Sequence, residues 1–301
     1  MDRILRIESI SQLHELIGYE KPKHPLISLI DYSKIKPSIS TADLHIITGF
    51  YSINLKDGPI CRTKYGRQYY DFQEGSLVFL APGQAVYIDE DQPEEPESIG
   101  WNLCFHPDLI YKSSLGKKIN EYTFFTYNQD EALHLSDQEK QKITDIVYEI
   151  KNEFSQNMDG FSHDLIISQL ELFFNYCKRF YGRQFITRTK VNKDVIIRFE
   201  EFLKCYFNSD KLESLGLPSV KYCAQEMGYS PNYLSDVLKR ETGKNTQEHI
   251  HFYLIEKAKA LLLETDKPVN IIACELGFEY PQHFSKLFKN KTGMSPVEYR
   301  N

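Results

Sequence analysis

The stretch Gly228-Tyr229-Ser230-Pro231-Asn232-Tyr233-Leu234-Ser235-Asp236-Val237-Leu238-Lys239-Arg240-Glu241-Thr242-Gly243 returns, altered, as Gly277-Phe278-Glu279-Tyr280-Pro281-Gln282-His283-Phe284-Ser285-Lys286-Leu287-Phe288-Lys289-Asn290-Lys291-Thr292-Gly293. The copies share a glycine followed by an aromatic, a proline, a serine and a lysine at matched places, and a closing Thr-Gly. Each follows a short helical stretch, 219–227 or 270–276, so each reads as helix, turn, helix. Gly228 and Gly277 fall where the first helix stops and a positive φ is wanted. Ser230 is placed to cap the next helix, and Pro231 and Pro281 suit its first position, where no N–H bond is lost. Leu234, Val237 and Leu238 are spaced to face inward, as are Phe284, Leu287 and Phe288.

The opposite faces present Asn232, Ser235, Asp236 and Lys239 with Arg240, and Gln282, His283, Ser285, Lys286 and Lys289. Amide and hydroxyl groups hydrogen-bond base edges, and lysine reaches phosphate or guanine. A long helix over 246–264, with Ile250, Tyr253, Leu254, Ala258 and Leu261 on its inner side, reads as a strut between the units. Two such helices in successive major grooves on one DNA face stand about 34 Å apart. Ser295-Pro296-Val297-Glu298 is a capping box opening a last short helix that ends at Arg300.

Pro268-Val269-Asn270-Ile271-Ile272-Ala273, Leu276-Gly277-Phe278, Phe284-Ser285-Lys286-Leu287-Phe288-Lys289 and Thr292-Gly293-Met294-Ser295-Pro296-Val297-Glu298-Tyr299-Arg300 resemble the signature of the AraC/XylS transcription regulators. The resemblance covers about 194–301 and holds in register over both units. It implies a sequence-specific regulator that binds double-stranded DNA. It also implies an activator more readily than a repressor, with RNA polymerase as a partner in that case. Asp236 departs from a simple reading face: it either accepts a bond from cytosine N4 or marks a first unit that reads DNA weakly.

The N-terminal 135 residues read mainly as strands: 45–55, a hairpin about Gly66, a short apolar strand between turn residues within 74–84, and 99–105, suggesting a small antiparallel barrel or sandwich. The period then changes. Ser136-Asp137-Gln138-Glu139 is a capping box, and Ile143, Ile146, Val147, Ile150 and Phe154 share a helical face. A second helix carries Leu165, Ile166, Leu170, Phe173, Cys177 and Phe180. The expected fold class is α+β: a cupin-like sensor barrel over 1–135, a helical hairpin for dimerisation or coupling over 136–182, a linker over 183–193, and an all-α domain with two helix-turn-helix units over 194–301.

Members of the AraC/XylS family often carry an N-terminal cupin-like domain, and Gln73 to Gly83 resembles the second half of a cupin motif. The histidine expected shortly after Pro82-Gly83 is replaced by Gln84-Ala85-Val86-Tyr87, and no close His and carboxylate set stands upstream. No metal, no cofactor and no catalytic activity are therefore expected. His24, Tyr51, Tyr69, Tyr70 and Trp101 are the candidate groups for a small-molecule effector, because aromatics offer stacking faces to sugars or other flat, partly polar ligands. Each also reads, taken singly, as an ordinary core or edge residue. His106 reads as a satisfied loop histidine, and the acidic run 89–97 as a solvated loop.

The 301 residues carry 36 Lys and Arg against 42 Asp and Glu, a net charge of −6 that argues at first sight against nucleic acid. From Lys190 onward, however, the count is 16 against 15. From Tyr280 the chain holds Lys286, Lys289, Lys291 and Arg300 against Glu298 alone, a basic end that adds Arg300 to the candidate DNA contacts. Length allows two domains, and no stretch approaches 18 apolar residues or forms a signal-peptide core. The six cysteines form no C-x-x-C and read as buried, reduced thiols. The expectation is a cytoplasmic homodimer, not a membrane protein, with an unidentified effector. Rival readings are a ligand-independent regulator whose barrel only mediates dimerisation or protein contacts, and a cupin enzyme fused to a DNA-binding module.

Overall fold

Along residues 51–57 and 99–105 the side chains alternate between apolar and polar, so each strand has one face for a core and one for something else. The computed structural model describes residues 3–35, 44–57, 64–65, 68–69, 75–88, 99–156 and 159–301. It divides the chain into Met1–Ile186 and Thr187–Asn301. In the first unit the order is β1 (Arg3–Ile7), α1 (Ile10–Leu16), β2 (Ile27–Asp31), β3 (Leu44–Thr48), β4 (Tyr51–Asp57), β5 (Lys64–Tyr65), β6 (Gln68–Tyr69), β7 (Ser76–Leu80), β8 (Ala85–Ile88) and β9 (Ile99–Phe105). Next come α2 (Pro107–Ile110), α3 (Ser114–Lys118), β10 (Leu133–His134), α4 (Asp137–Ser155) and α5 (Ser162–Thr187).

Among the described residues the strands form open sheets rather than a closed barrel. One is β10-β7-β4-β9-β2, one is β1-β3-β8, and β5 pairs with β6. β1 and β3 run parallel, against the expectation of antiparallel strands alone. The strand expected over 45–55 is two strands. Gly49 N–H donates to the Ile7 carbonyl at 2.8 Å, and a Cβ there would stand 2.6 Å from the Glu8 carboxylate. The chain therefore leaves one sheet at Thr48 and enters the other at Tyr51. α1 and the short helical turns over 107–131 have no counterpart in the sequence pattern, because each is too brief to show a helical period.

The apolar face of the large sheet carries Tyr51, Phe79, Trp101 and Phe105, which pack ring against ring on Phe124, Phe125, Phe173 and Phe174. The Ser136 capping box forms as expected, and Ile143, Ile146, Val147, Ile150 and Phe154 of α4 are buried. Each such side chain contributes about 1.5–3 kcal/mol of burial. On α5 the residues Ile166, Leu170, Phe173, Cys177 and Phe180 are buried, but Leu165 is 49% exposed. It lies about 100° around the helix from Ile166 and so off the inner face. Residues 183–193, expected as a linker, are helical on both sides of Arg188. They hold no Pro or Gly to stop a helix, and Gln184 is buried, donating to Ala132 O at 3.1 Å.

Of the thiols, Cys104, Cys177 and Cys223 are buried, whereas Cys205 and Cys274 are exposed, correcting the uniform expectation; Cys61 lies outside the described residues. Burial pushes the pKa of Cys104 and of Cys223 up to about 12. Among the described residues no helix is long and apolar enough to cross a membrane.

Candidate nucleic-acid interface

The second unit contains helices only: α6 (Thr189–Phe207), α7 (Lys211–Leu215), α8 (Val220–Met227), α9 (Pro231–Thr242), α10 (Thr246–Glu264), α11 (Val269–Glu275), α12 (Pro281–Thr292) and α13 (Pro296–Arg300). The repeat seen in the sequence is a repeat of local chemistry. Gly228 (φ 75°) and Gly277 (φ 80°) end α8 and α11 in the left-handed region. After each, the aromatic N–H bonds back into the helix, Tyr229 to Ala224 O at 2.9 Å and Phe278 to Ala273 O at 3.0 Å. Ser230 accepts the Tyr233 N–H and caps α9. Tyr280, at the matching place before α12, supplies no side-chain cap.

The shared Thr-Gly endings have one geometry. Thr242 donates to Leu238 O at 2.7 Å and accepts the Lys244 N–H at 3.2 Å. Thr292 donates to Phe288 O at 2.8 Å and accepts the Met294 N–H at 3.3 Å. Each threonine thus stitches its helix across the following left-handed glycine, Gly243 or Gly293. His249 Nε2 lies 2.8 Å from the Thr242 hydroxyl. Burial lowers the His249 pKa, so the neutral ring ties α10 to the end of α9.

Tyr233, Leu234, Val237 and Leu238 of α9 are buried, as are Phe284 and Phe288 of α12, with Leu287 half-buried. This fixes the outer faces. On α9, Asn232, Lys239 and Arg240 are exposed while Ser235 and Asp236 are half-buried; on α12, Gln282, His283, Lys286 and Lys289 are exposed and Ser285 half-buried. The two serines turn inward: Ser235 Oγ lies 2.9 Å from Thr246 Oγ1, and Ser285 Oγ donates to Pro281 O at 3.1 Å. Arg300 donates to Leu262 O and Lys267 O at 3.2 and 2.7 Å, which makes it a brace for the end of α10 rather than a free cation.

Of the candidate effector residues of the first unit, Tyr51 and Trp101 stand apart. Tyr51 stacks on Phe105 at 4.9 Å in the aromatic core, and Trp101 donates to Thr144 Oγ1 at 3.3 Å. Tyr51 is opposite Phe105 across the sheet and Leu55 opposite Trp101, which sets the two aromatics four residues, roughly 13 Å, apart. Trp101 does line a groove of about 280 Å³ with Asp31, Lys140, Thr144 and Tyr148. His24 is buried, its Nδ1 accepting the Leu26 N–H, with its pKa lowered first by burial and then by the His163 charge. Tyr70, the side chain of Tyr69, and the acidic run 89–97 lie outside the described residues. His106 caps α2 by accepting the Asp108 N–H. Among the described residues no group of three or more His, Cys, Asp or Glu is arranged to hold a metal ion.

Sequence reasoning missed a polar set on the other face of the large sheet. Tyr32 donates to Asn54 Oδ1 at 2.6 Å, and Asn102 Nδ2 donates to Ser52 Oγ at 2.7 Å and to Asn54 Oδ1 at 2.5 Å. Asn102 Oδ1 is buried and, among the described residues, has no hydrogen-bond partner. The signal was the alternation itself: Ser52 and Asn54 in β4 and Asn102 in β9 are polar where the neighbouring strand positions are apolar.

The second unit is thus a double helix-turn-helix domain, two near-copies joined by the α10 strut. The helix-turn-helix domain family matches residues 223–301. An uncharacterised HTH-type transcriptional regulator of Bacillus subtilis, YobQ, is 34% identical over 96 residues, 32% of this chain and 39% of that protein. The arabinose operon regulatory protein of Escherichia coli is 31% identical over 96 residues, 32% of each chain. Another E. coli regulator of uncharacterised role, YijO, is 25% identical over 234 residues, 75% of this chain and 76% of its own. The chain spans well under two thirds of the length of the first two. The C-terminal domain is of the AraC type.

Proposed function

We propose that the protein is a sequence-specific transcription regulator that binds double-stranded DNA through α9 and α12, in the cytoplasm and without catalytic activity. The observation that carries this reading is the pair of matched helices whose exposed faces bear Asn232, Lys239, Arg240, Gln282, His283, Lys286 and Lys289 while the opposite faces are buried. Regulation is also what the names of all three relatives describe. A homodimer is supported by Phe161, Leu165 and Leu172, apolar and 73%, 49% and 46% exposed at or near α5. Titration of the full chain onto duplex DNA from around its own gene tests both: two protomers per site are expected, with log affinity falling linearly as log salt rises. Absence of binding at low salt sinks the reading.

We infer that the first unit is a sensor of a small, uncharged polar molecule. Asn102 Oδ1, left unpaired among Tyr32, Ser52 and Asn54, favours a ligand that donates a hydrogen bond. Such a ligand shifts the protein between states only if it binds one of them more tightly. We take the outcome to be activation with RNA polymerase, on the strength of the sequence resemblance. Thermal shift against sugars and polyols is expected to raise the melting temperature for a hit, an increase that Asn102→Leu abolishes. No stabilisation by any neutral polar compound favours the ligand-independent alternative.

A further inference from the structure

The two helix-turn-helix units echo each other in sequence and in their left-handed glycines and Thr-Gly helix ends, yet their recognition helices differ at the positions that would meet DNA. Pro231 to Gly243 and Pro281 to Gly293 align without a gap, so each residue of α9 has a counterpart in α12. Asp236 stands against Lys286, and Glu241 against Lys291. Charges in α9 (Asp236, Lys239, Arg240, Glu241) cancel, whereas α12 holds Lys286, Lys289 and Lys291 and no acid.

The side chains available for reading differ as well. Tyr233 is 3% exposed and stacks on Tyr229 at 5.5 Å, while its counterpart His283 is exposed. Ser235 is held by Thr246 and Ser285 by its own helix, which removes both hydroxyls from the contact face. The exposed polar side chains of α9 are then Asn232, Lys239 and Arg240, with the Asp236 carboxylate half-buried one turn after Asn232. α12 offers Gln282, His283 and Lys286 together. A carboxylate facing a phosphate-lined groove is repelled unless it meets a cytosine amine, and lysine is attracted by any sequence and specific for guanine.

Building on the DNA-binding reading above, we propose that α12 is the base-reading helix of this protein, and that α9 serves to position it through Lys239 and Arg240 on phosphate. Asp236 acts as an electrostatic brake that holds the first unit's affinity down. The α10 strut then fixes where α9 settles once α12 has found its site.

The test is selection of binding sites from random duplex DNA by the full chain, followed by affinity measurements on the selected site and on an unrelated duplex over a range of salt. Gln282→Ala and His283→Ala are expected to lower preference for the selected site by roughly tenfold or more. Asn232→Ala is expected to leave preference within about twofold. Asp236→Lys, which gives α9 the residue α12 has in register, is expected to strengthen binding to both duplexes alike, with the log–log salt slope steeper by about one. Melting temperatures confirm that these outer-face variants are folded. The inference is overturned if Asn232→Ala alters base preference as strongly as the α12 variants. It is equally overturned if Asp236→Lys weakens the selected site while sparing the unrelated one, since Asp236 would then be reading a base. A wild-type chain that binds neither duplex at low salt overturns the DNA-binding reading itself, an outcome distinct from the other two.

Discussion

Gly277→Ala is expected to destabilise the C-terminal unit by about 3 kcal/mol or more, while Gly228→Ala, at the matching place in the other copy, costs about 1 kcal/mol. Both glycines have φ near +75 to +80°, so the backbone strain of a Cβ is common to the two. The difference is space. Around Gly228 a Cβ meets nothing within 4 Å, but at Gly277 it would stand 2.7 Å from Gly216 Cα and 2.9 Å from Leu212 O. These are backbone atoms, and they cannot swing aside as a side-chain end does. Gly216 ends α7, itself with φ 76°, so α7 and the α11–α12 turn meet glycine against glycine. Chemical denaturation of the two variants, followed by ring fluorescence or helix content, checks the contrast. Equal losses at the two positions would show that the approach of α7 contributes nothing. DNA affinity should fall with stability for Gly277→Ala, because the start of α12 is set by this approach.

The same approach of α7 to the turn shows where sequence reasoning stops. The repeat, its glycines, its prolines and the strut over 246–264 are legible because capping and helical period are local and leave a fixed spacing in the chain. α10 spans Thr246–Glu264, as the periodicity requires. Nothing local says that Gly216 will lie against Gly277, since a long-range close approach has no spacing of its own. The sheets of the first unit are hidden for the same reason. As aromatics, Tyr51 and Trp101 suggest the lining of one pocket, but strand register decides their neighbours and sets them four pairs apart. The polar row Ser52, Asn54 and Asn102 is readable as alternation, yet only pairing across β4 and β9 brings Asn54 opposite Asn102.

The serines illustrate a subtler limit. Helical spacing places Ser235 and Ser285 on the outer faces, and their positions on the helix agree with it. A hydroxyl on a short stem, however, finds the nearest acceptor, and for Ser285 that is the carbonyl one turn back. Position on a helix wheel gives the direction of the Cβ. It does not give the partner of the group beyond it.

Lys289 and Arg300 are both cations on the basic end of the chain, and sequence assigns both to DNA. Their substitutions are expected to part cleanly. Arg300 closes α13 onto α10 by donating to Leu262 O, one of the last carbonyls of α10 that lack a helical partner, and to Lys267 O beyond its end. Losing two charge-assisted bonds to carbonyls is expected to cost Arg300→Ala about 2 kcal/mol of stability. Where the protein is still folded, its salt slope on DNA should equal that of the wild type. Lys289 stands exposed on α12, one turn beyond Lys286, and Lys289→Ala should leave stability within about 0.5 kcal/mol. Its effect is on DNA: weaker binding to every sequence and a salt slope shallower by about one, because one fewer phosphate is neutralised. Denaturation and salt titration of both variants give four numbers. A shallower slope with unchanged stability for Arg300→Ala would return that side chain to the DNA surface and leave the end of α10 held by something else.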